Sequence, residues 1–445
     1  MSHPWRLPWR LPSLWTDTWP AVLGLAMILG TEYKFRQREL NDSLSASVDL
    51  AIVVELAVFA LVAGYLIGYV VTPPRWNRPT AVQFFMRGYT AAMVMSVMYS
   101  SYVVLGAVRA MQLCIMVAFS SAIAANARRG QVLQLAHAYV GLVTLSVFIG
   151  LVYRVPFSPL QAHRFNWLYV HSVTAGAMLA LGITIALGLA TNHSRFRLGA
   201  QRWPRPLYLT CLAVMGAALV ATQTRGAVIA AIAGVFVVIY LTVPVRERLP
   251  LGVLGFVGLA LAVFSFWPVI LAYLARGEPT ENLTTVSNRT ELWGIAVDLV
   301  SQKPLTGWGL STSRGVFYDR VGLGGAHNAF INVAVDGGLI GLGLWLGLVI
   351  AIGLGIARLQ RLRHGDAPLL GGVLACLMVN GFTVEGVGSG VGVSALWLLI
   401  LGAWVGVLQR EVGPTQRNTQ GTMALTPLAA RERATRERAG NTVSV

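Results

Sequence analysis

Three cationic positions, far apart along the chain, have the types and settings that could act on an anionic group. Arg225 lies in ATQTRGAV, in a tight turn between two apolar runs, where Gly226 permits a sharp bend. Arg289 lies in SNRTELW, behind Ser287 and Asn288, which suit the N-cap of a helix TELWGIAVDLV. Leu292, Ile295, Ala296 and Leu299 share one face of that helix. His327 and Asn328, in GGAHNAF, open the next apolar run. Brought together, two permanent guanidiniums and one titratable imidazole suit a pyrophosphate leaving group and a hydroxyl nucleophile. Plainer readings stand beside this one. An arginine at the end of an apolar run is commonly a snorkelling anchor. Arg289 equally fits a solvated helix terminus, and a lone histidine at a helix start is usually a cap. His163, Arg164 and Arg154, in segment 153–166, could complete the pocket, whereas His171 in NWLYVHSVTAGAM reads as a packed or hydrogen-bonded residue.

The elements that must position these residues are apolar helices. Hydrophobic residues make up 55% of the chain and charged residues 12%, and mean hydropathy is +0.64; soluble domains carry about twice that charged share. At roughly 20 residues per hydrocarbon crossing, the pattern predicts an all-α polytopic membrane protein. About twelve transmembrane helices are expected, near 18–32, 48–72, 89–107, 109–127, 131–152, 167–190, 206–223, 226–243, 251–271, 328–357, 367–386 and 389–408. Arg109 is read as splitting the long apolar stretch 89–127. The resulting organisation is an N-terminal anchor 1–17, helices one to nine over 18–271, a polar loop 272–327 with short amphipathic helices, helices ten to twelve over 328–408, and a polar tail 409–445. Arg128, Arg129, Arg246, Arg248, Arg358, Arg361 and Arg363 mark the cytoplasmic side, so both termini are expected inside and loop 272–327 outside. Lys34, Arg36 and Arg38 run against that orientation.

The net charge of +16 is then arginine facing anionic lipid, and no nucleic-acid partner is expected. Cys114, Cys211 and Cys376 all lie in apolar runs and read as small buried hydrophobes. His327 has no second ligand at HxxH or HExxH spacing, so neither metal nor cofactor is expected. Glu55 is a carboxylate inside a span, with no role evident from the sequence.

TRGA after an apolar span, NRTELW, PLTGWG and AHNAFINVAVDGGLIGLGL follow one another in an order that resembles the O-antigen ligase and polymerase superfamily, over roughly 206–355. That resemblance implies glycosyl transfer at the periplasmic face of the bacterial inner membrane, from a glycan on undecaprenyl pyrophosphate to a sugar hydroxyl of lipid A–core. It implies that Arg225 and Arg289 clamp the pyrophosphate and that His327 is the base, with Asn328 orienting the imidazole or holding a sugar; Arg164, from its place in segment 153–166, is a further candidate for substrate binding. Direct attack by the hydroxyl inverts the anomeric centre. A covalent intermediate would need a carboxylate, for which Glu291, Asp298, Asp319, Asp336 and Glu385 are available. An O-antigen polymerase or a protein O-oligosaccharyltransferase shares the donor. A secondary transporter is a more distant alternative, for which internal repeats are lacking and the span centres are almost free of charge, Glu55 being the exception.

Overall fold

The computed structural model describes residues 13–33, 49–70, 79–153, 155, 163–192, 203–275, 289–322, 324–388 and 390–411. Residues 1–12 of the expected anchor 1–17, most of the tail and part of the 272–327 loop lie outside the described residues, as does Arg154.

Each of the twelve expected spans overlaps at least one helix, and 89–107 and 251–271 each overlap two. In chain order these are α1 (Ser13–Glu32), α2 (Leu50–Tyr65), α3 (Ala81–Ser96), α4 (Val103–Asn126), α5 (Arg129–Val152), α6 (Ser172–Thr191), α7 (Arg205–Ala221), α8 (Arg225–Thr242) and α9 (Val245–Ser265). After the short α10 (Trp267–Ala275), α11 (Arg289–Gln302) and α12 (Thr312–Val321) come α13 (Ala329–Arg361), α14 (Ala367–Gly381) and α15 (Val393–Glu411). Among the described residues, eight of these helices are long and apolar enough to cross a membrane, while α7 and α14 are shorter apolar helices. The chain is a polytopic membrane protein. In a bilayer only helices satisfy their own backbone polar groups, which is why the apolar runs take this form.

One expected boundary moves. Arg109 does not divide two helices; it lies inside α4, and the break falls at 100–102. Thr80 and Gln83 form a capping box that starts α3 earlier than hydropathy suggests. Ser96 and Ser100 end the preceding run, because their hydroxyl groups bind the loop between α11 and α12: Leu310 N donates to Ser96 Oγ at 2.9 Å, and Ser100 Oγ donates to Leu310 O at 3.0 Å.

Helices α6, α8 and α14 pack against one another along their lengths, with α13 against α3 and α1 against α5. α6 is buried nearly throughout and forms the central post. α9 stands off the bundle with no buried residue, a surface suited to lipid. One end of the bundle is closed by a salt bridge. Arg129 donates to Asp366 twice, Nε to Oδ2 at 2.7 Å and Nη2 to Oδ1 at 2.6 Å. Asn192 adds a third bond to the same carboxylate at 2.5 Å, and Glu411 accepts from Arg129 N at 3.1 Å. This knot joins α5, α6, α14 and α15.

Glu55 also finds its partners. It accepts from Gln112 Nε2 at 2.8 Å and lies 3.9 Å from Arg109 Nη1, so the buried charge is neutralised within the bundle.

Candidate active site

At the opposite end, helix termini and the segment between α11 and α13 converge. α13 is broken at Gly338, whose φ is 61°. The segment PLTGWG (304–309) fills the break with its backbone. Trp308 N and Gly309 N donate to Val335 O and Asp336 O, each at 2.9 Å, while Leu339 N and Ile340 N donate to Pro304 O and Leu305 O at 2.8 and 3.2 Å. Gly307, at φ 66°, lies so close to the Gly338 backbone that neither position has room for a side chain. The polar groups freed by the break are therefore paired inside the protein, as a membrane setting demands.

The break also aims a carboxylate. Buried Asp336 accepts from Ser313 N at 2.7 Å and Ser311 N at 3.2 Å, which holds the start of α12 and sets Arg314 in place. α11 covers this arrangement by burying Leu292, Ala296 and Leu299 against Phe317, Ala326 and Val335. That is the apolar face expected from the sequence, with Ile295 partly buried beside it. Arg289 opens α11, but its side chain lies outside the described residues.

His327 is held in the left-handed region at φ 50°, which costs a residue other than glycine about 1–2 kcal/mol. Its neighbours hold it there. Asn332 Oδ1 accepts from Ala326 N at 3.0 Å. Asn328 Oδ1 caps α13 by accepting from Phe330 N at 2.9 Å and Ile331 N at 3.2 Å. The structure thus places Asn328 as a helix cap beside the imidazole. His327 Nδ1 lies 3.3 Å from Glu385 Oε2, with side-chain exposures of 37% and 31% that leave the pair open to a ligand. Burial alone would raise the Glu385 carboxyl, but the His327 contact and the Arg314 charge outweigh it and hold it below the usual range.

Arg225 starts α8 immediately after a turn in which Gln223 has φ 52°. Arg164, buried, braces that turn: its Nε donates to Thr222 O at 2.9 Å and its Nη2 to Thr224 Oγ1 at 3.1 Å. A side chain at Gly226 would overlap Thr383, so the start of α8 abuts the turn that leads to Glu385. Arg225 Nε is buried with no hydrogen-bond partner among the described residues. Such a group is costly unless something binds it.

His171 caps α6, its Nδ1 accepting from Val173 N at 3.1 Å. Burial, then the charges of Arg164 and His327, push its pKa down to about 4. It is neutral near pH 7, and because Nδ1 is an acceptor the proton resides on Nε2. His163 is exposed on the neighbouring turn. Beside Glu385 a cavity of about 200 Å³ opens, lined by Glu32, Arg109, Arg314, Asp336 and Glu385 among others.

Arg225 and His327 therefore enter one end of the bundle, linked through Thr383 and Glu385. Sequence reasoning missed Arg314 and the pairing of Glu385 with His327. Arg314 sits in STSRGVF, a short polar stretch without periodicity, and offered no signal. Glu385, in the glycine-rich break TVEGVGSG, was visible as a carboxylate but not as a partner.

The O-antigen ligase family model matches residues 210–346, a stretch that contains Arg225, Arg289, Arg314, His327 and Asp336. No curated protein matches the chain. Over residues 210–346 the chain is thus similar to the O-antigen ligase family, in the stretch that carries the ordered motifs.

Proposed function

We propose that the chain is an O-antigen ligase: it moves a glycan from undecaprenyl pyrophosphate to a sugar hydroxyl of lipid A–core, at the periplasmic face of the inner membrane, without a metal. The observation that carries this reading is the His327–Glu385 pair at 3.3 Å. With Nδ1 turned to the carboxylate, Nε2 is the nitrogen that takes the acceptor proton, and Glu385 steadies the imidazolium that forms. The deprotonating oxygen attacks the anomeric carbon as the bond to the pyrophosphate oxygen breaks. The leaving pyrophosphate keeps that electron pair, and guanidinium groups stabilise its growing charge. Arg225 offers a buried Nε for this, and Arg289 joins it as the family motif implies.

Single displacement with inversion fits the carboxylates. Asp336 has both oxygens engaged by backbone amides, Asp319 is bound by the Tyr102 hydroxyl, and Asp298 accepts from Gln302 at 3.0 Å. Glu385 faces His327, and the Glu291 side chain lies outside the described residues. Three of the described four are bound elsewhere, and Glu385, whose Oε2 has no hydrogen-bond partner among the described residues, is committed in this reading to the imidazole.

The test is reconstitution with undecaprenyl-pyrophosphate-linked glycan and lipid A–core in the presence of a chelator. Conjugate should form, and His327→Ala should cut its rate by about 10²–10⁴ without loss of folded protein. Elongation from donor alone would assign a polymerase instead, and unimpaired conjugation by His327→Ala would remove His327 from the mechanism.

A further inference from the structure

We propose that the cavity beside Glu385 is the acceptor subsite and admits a single hydroxylated sugar ring; this rests on the glycosyl-transfer reading above. Its volume of about 200 Å³ corresponds to about seven water volumes, room for one pyranose and too little for two.

Its walls select the chemistry. Glu32, Asp336 and Glu385 disfavour a diphosphate, which leaves the anionic donor headgroup to Arg225. Arg109 and Arg314, set among those carboxylates, offer the alternating donors and acceptors that neighbouring ring hydroxyls require.

The walls are also fixed in advance. Glu32 Oε1 accepts from Val393 N at 2.7 Å. Arg109 Nη1 donates to Val391 O and to Gln112 Oε1, each at 3.4 Å. Asp336 is bound by two amides. A ring entering such a site meets groups that need no reordering. Glu385 belongs both to this wall and to the His327 pair. A ring in the cavity therefore lies against the carboxylate that pairs with the base, while the pyrophosphate approaches from the α8 side.

Gly386 provides the probe. It lines the cavity, and a Cβ added there meets nothing within 4 Å. Gly386→Leu should fold, fill the space and raise the acceptor KM at least about tenfold, with the Kd for the lipid-pyrophosphate donor unchanged. An unchanged acceptor KM in folded Gly386→Leu overturns the subsite. A second measurement covers a misfolded variant and a wild type that fails to transfer. Gly386→Cys is made in a Cys114→Ser background, since Cys114 is exposed whereas Cys211 and Cys376 are buried. Labelling of the folded protein with a maleimide should slow when lipid A–core is added. Labelling that lipid A–core does not slow also overturns the subsite. Failure of the wild type to form conjugate, with protection intact, would instead count against the function alone.

Discussion

The two ends of the bundle carry the same ingredients, a cation beside a carboxylate, and use them in opposite ways. At one end Asp366 is fully buried and takes two bonds from Arg129 and one from Asn192. At the other, Glu385 and His327 meet at 3.3 Å while each keeps about a third of its side chain exposed. The Arg129 knot is closed; every donor and acceptor that matters is spent on another part of the fold. The His327 pair borders a cavity and an Arg225 whose Nε has no hydrogen-bond partner among the described residues. Saturation marks a structural ion pair. An incomplete shell around charged groups marks a place prepared for a ligand.

That contrast can be broken most forcefully at the closed end. Arg129→Met leaves Asp366 buried without its main partner, and removing one member of such a pair costs about 3–5 kcal/mol. Thermal unfolding in detergent should show this loss, with transfer per folded molecule retained. Adding Asp366→Leu should recover much of the stability, since no lone charge then remains buried. A variant of normal stability that has lost transfer would mean the closed end serves the chemistry after all. At the open end the signature should reverse. Glu385→Gln keeps the shape of the side chain but removes the charge that orients and steadies the imidazole. It should lower kcat by about 10- to 100-fold and leave the unfolding midpoint nearly unchanged. A fall in stability with full kcat would turn this pair into a second structural lock.

The two ends also differ in how far the sequence reveals them. Apolar runs of about one bilayer thickness announce themselves one by one, so each expected span meets a helix. Arg225 and His327 were legible because each stands where an apolar run begins. What hydropathy cannot show is where a helix breaks for tertiary reasons. Ser96 and Ser100 end a run because Leu310, in the loop between α11 and α12, donates to one and accepts from the other. The glycines at 337–338 read as part of a family motif, and the structure explains each by a different neighbour, Gly337 by the Met93 side chain and Gly338 by the inserted PLTGWG backbone. Arg314 is set by Asp336 across a distance of 22 positions, and Glu385 becomes an imidazole partner through a turn after α14. Such long-range pairings have no local period. Arg164 shows the converse: its type suggested a ligand, and its geometry makes it the brace of the turn that presents Arg225.

A smaller effect separates the ends by pH. His171 at the open end and His364 at the closed end each accept a backbone N–H from the residue two positions on, and burial lowers both pKa values. His171 falls to about 4 from 6.5. Because the folded value lies below the unfolded one, the unfolded chain binds the extra proton between them, and stability drops as pH falls from about 6.5 toward 4. Asn in place of either histidine keeps an N-cap or turn acceptor but does not titrate. Unfolding midpoints measured across that window should lose part of their acid slope in His171→Asn. The slope that remains should shrink again when His364→Asn is added. Because the Arg164 and His327 charges also push His171 down, His327→Ala should itself recover part of the slope at the open end. The His364 contribution should stay as it was. A His171→Asn profile that coincides with the wild type would show that this imidazole is not held neutral beside the reacting groups, and the open end would lose its uncharged Nε2–H donor.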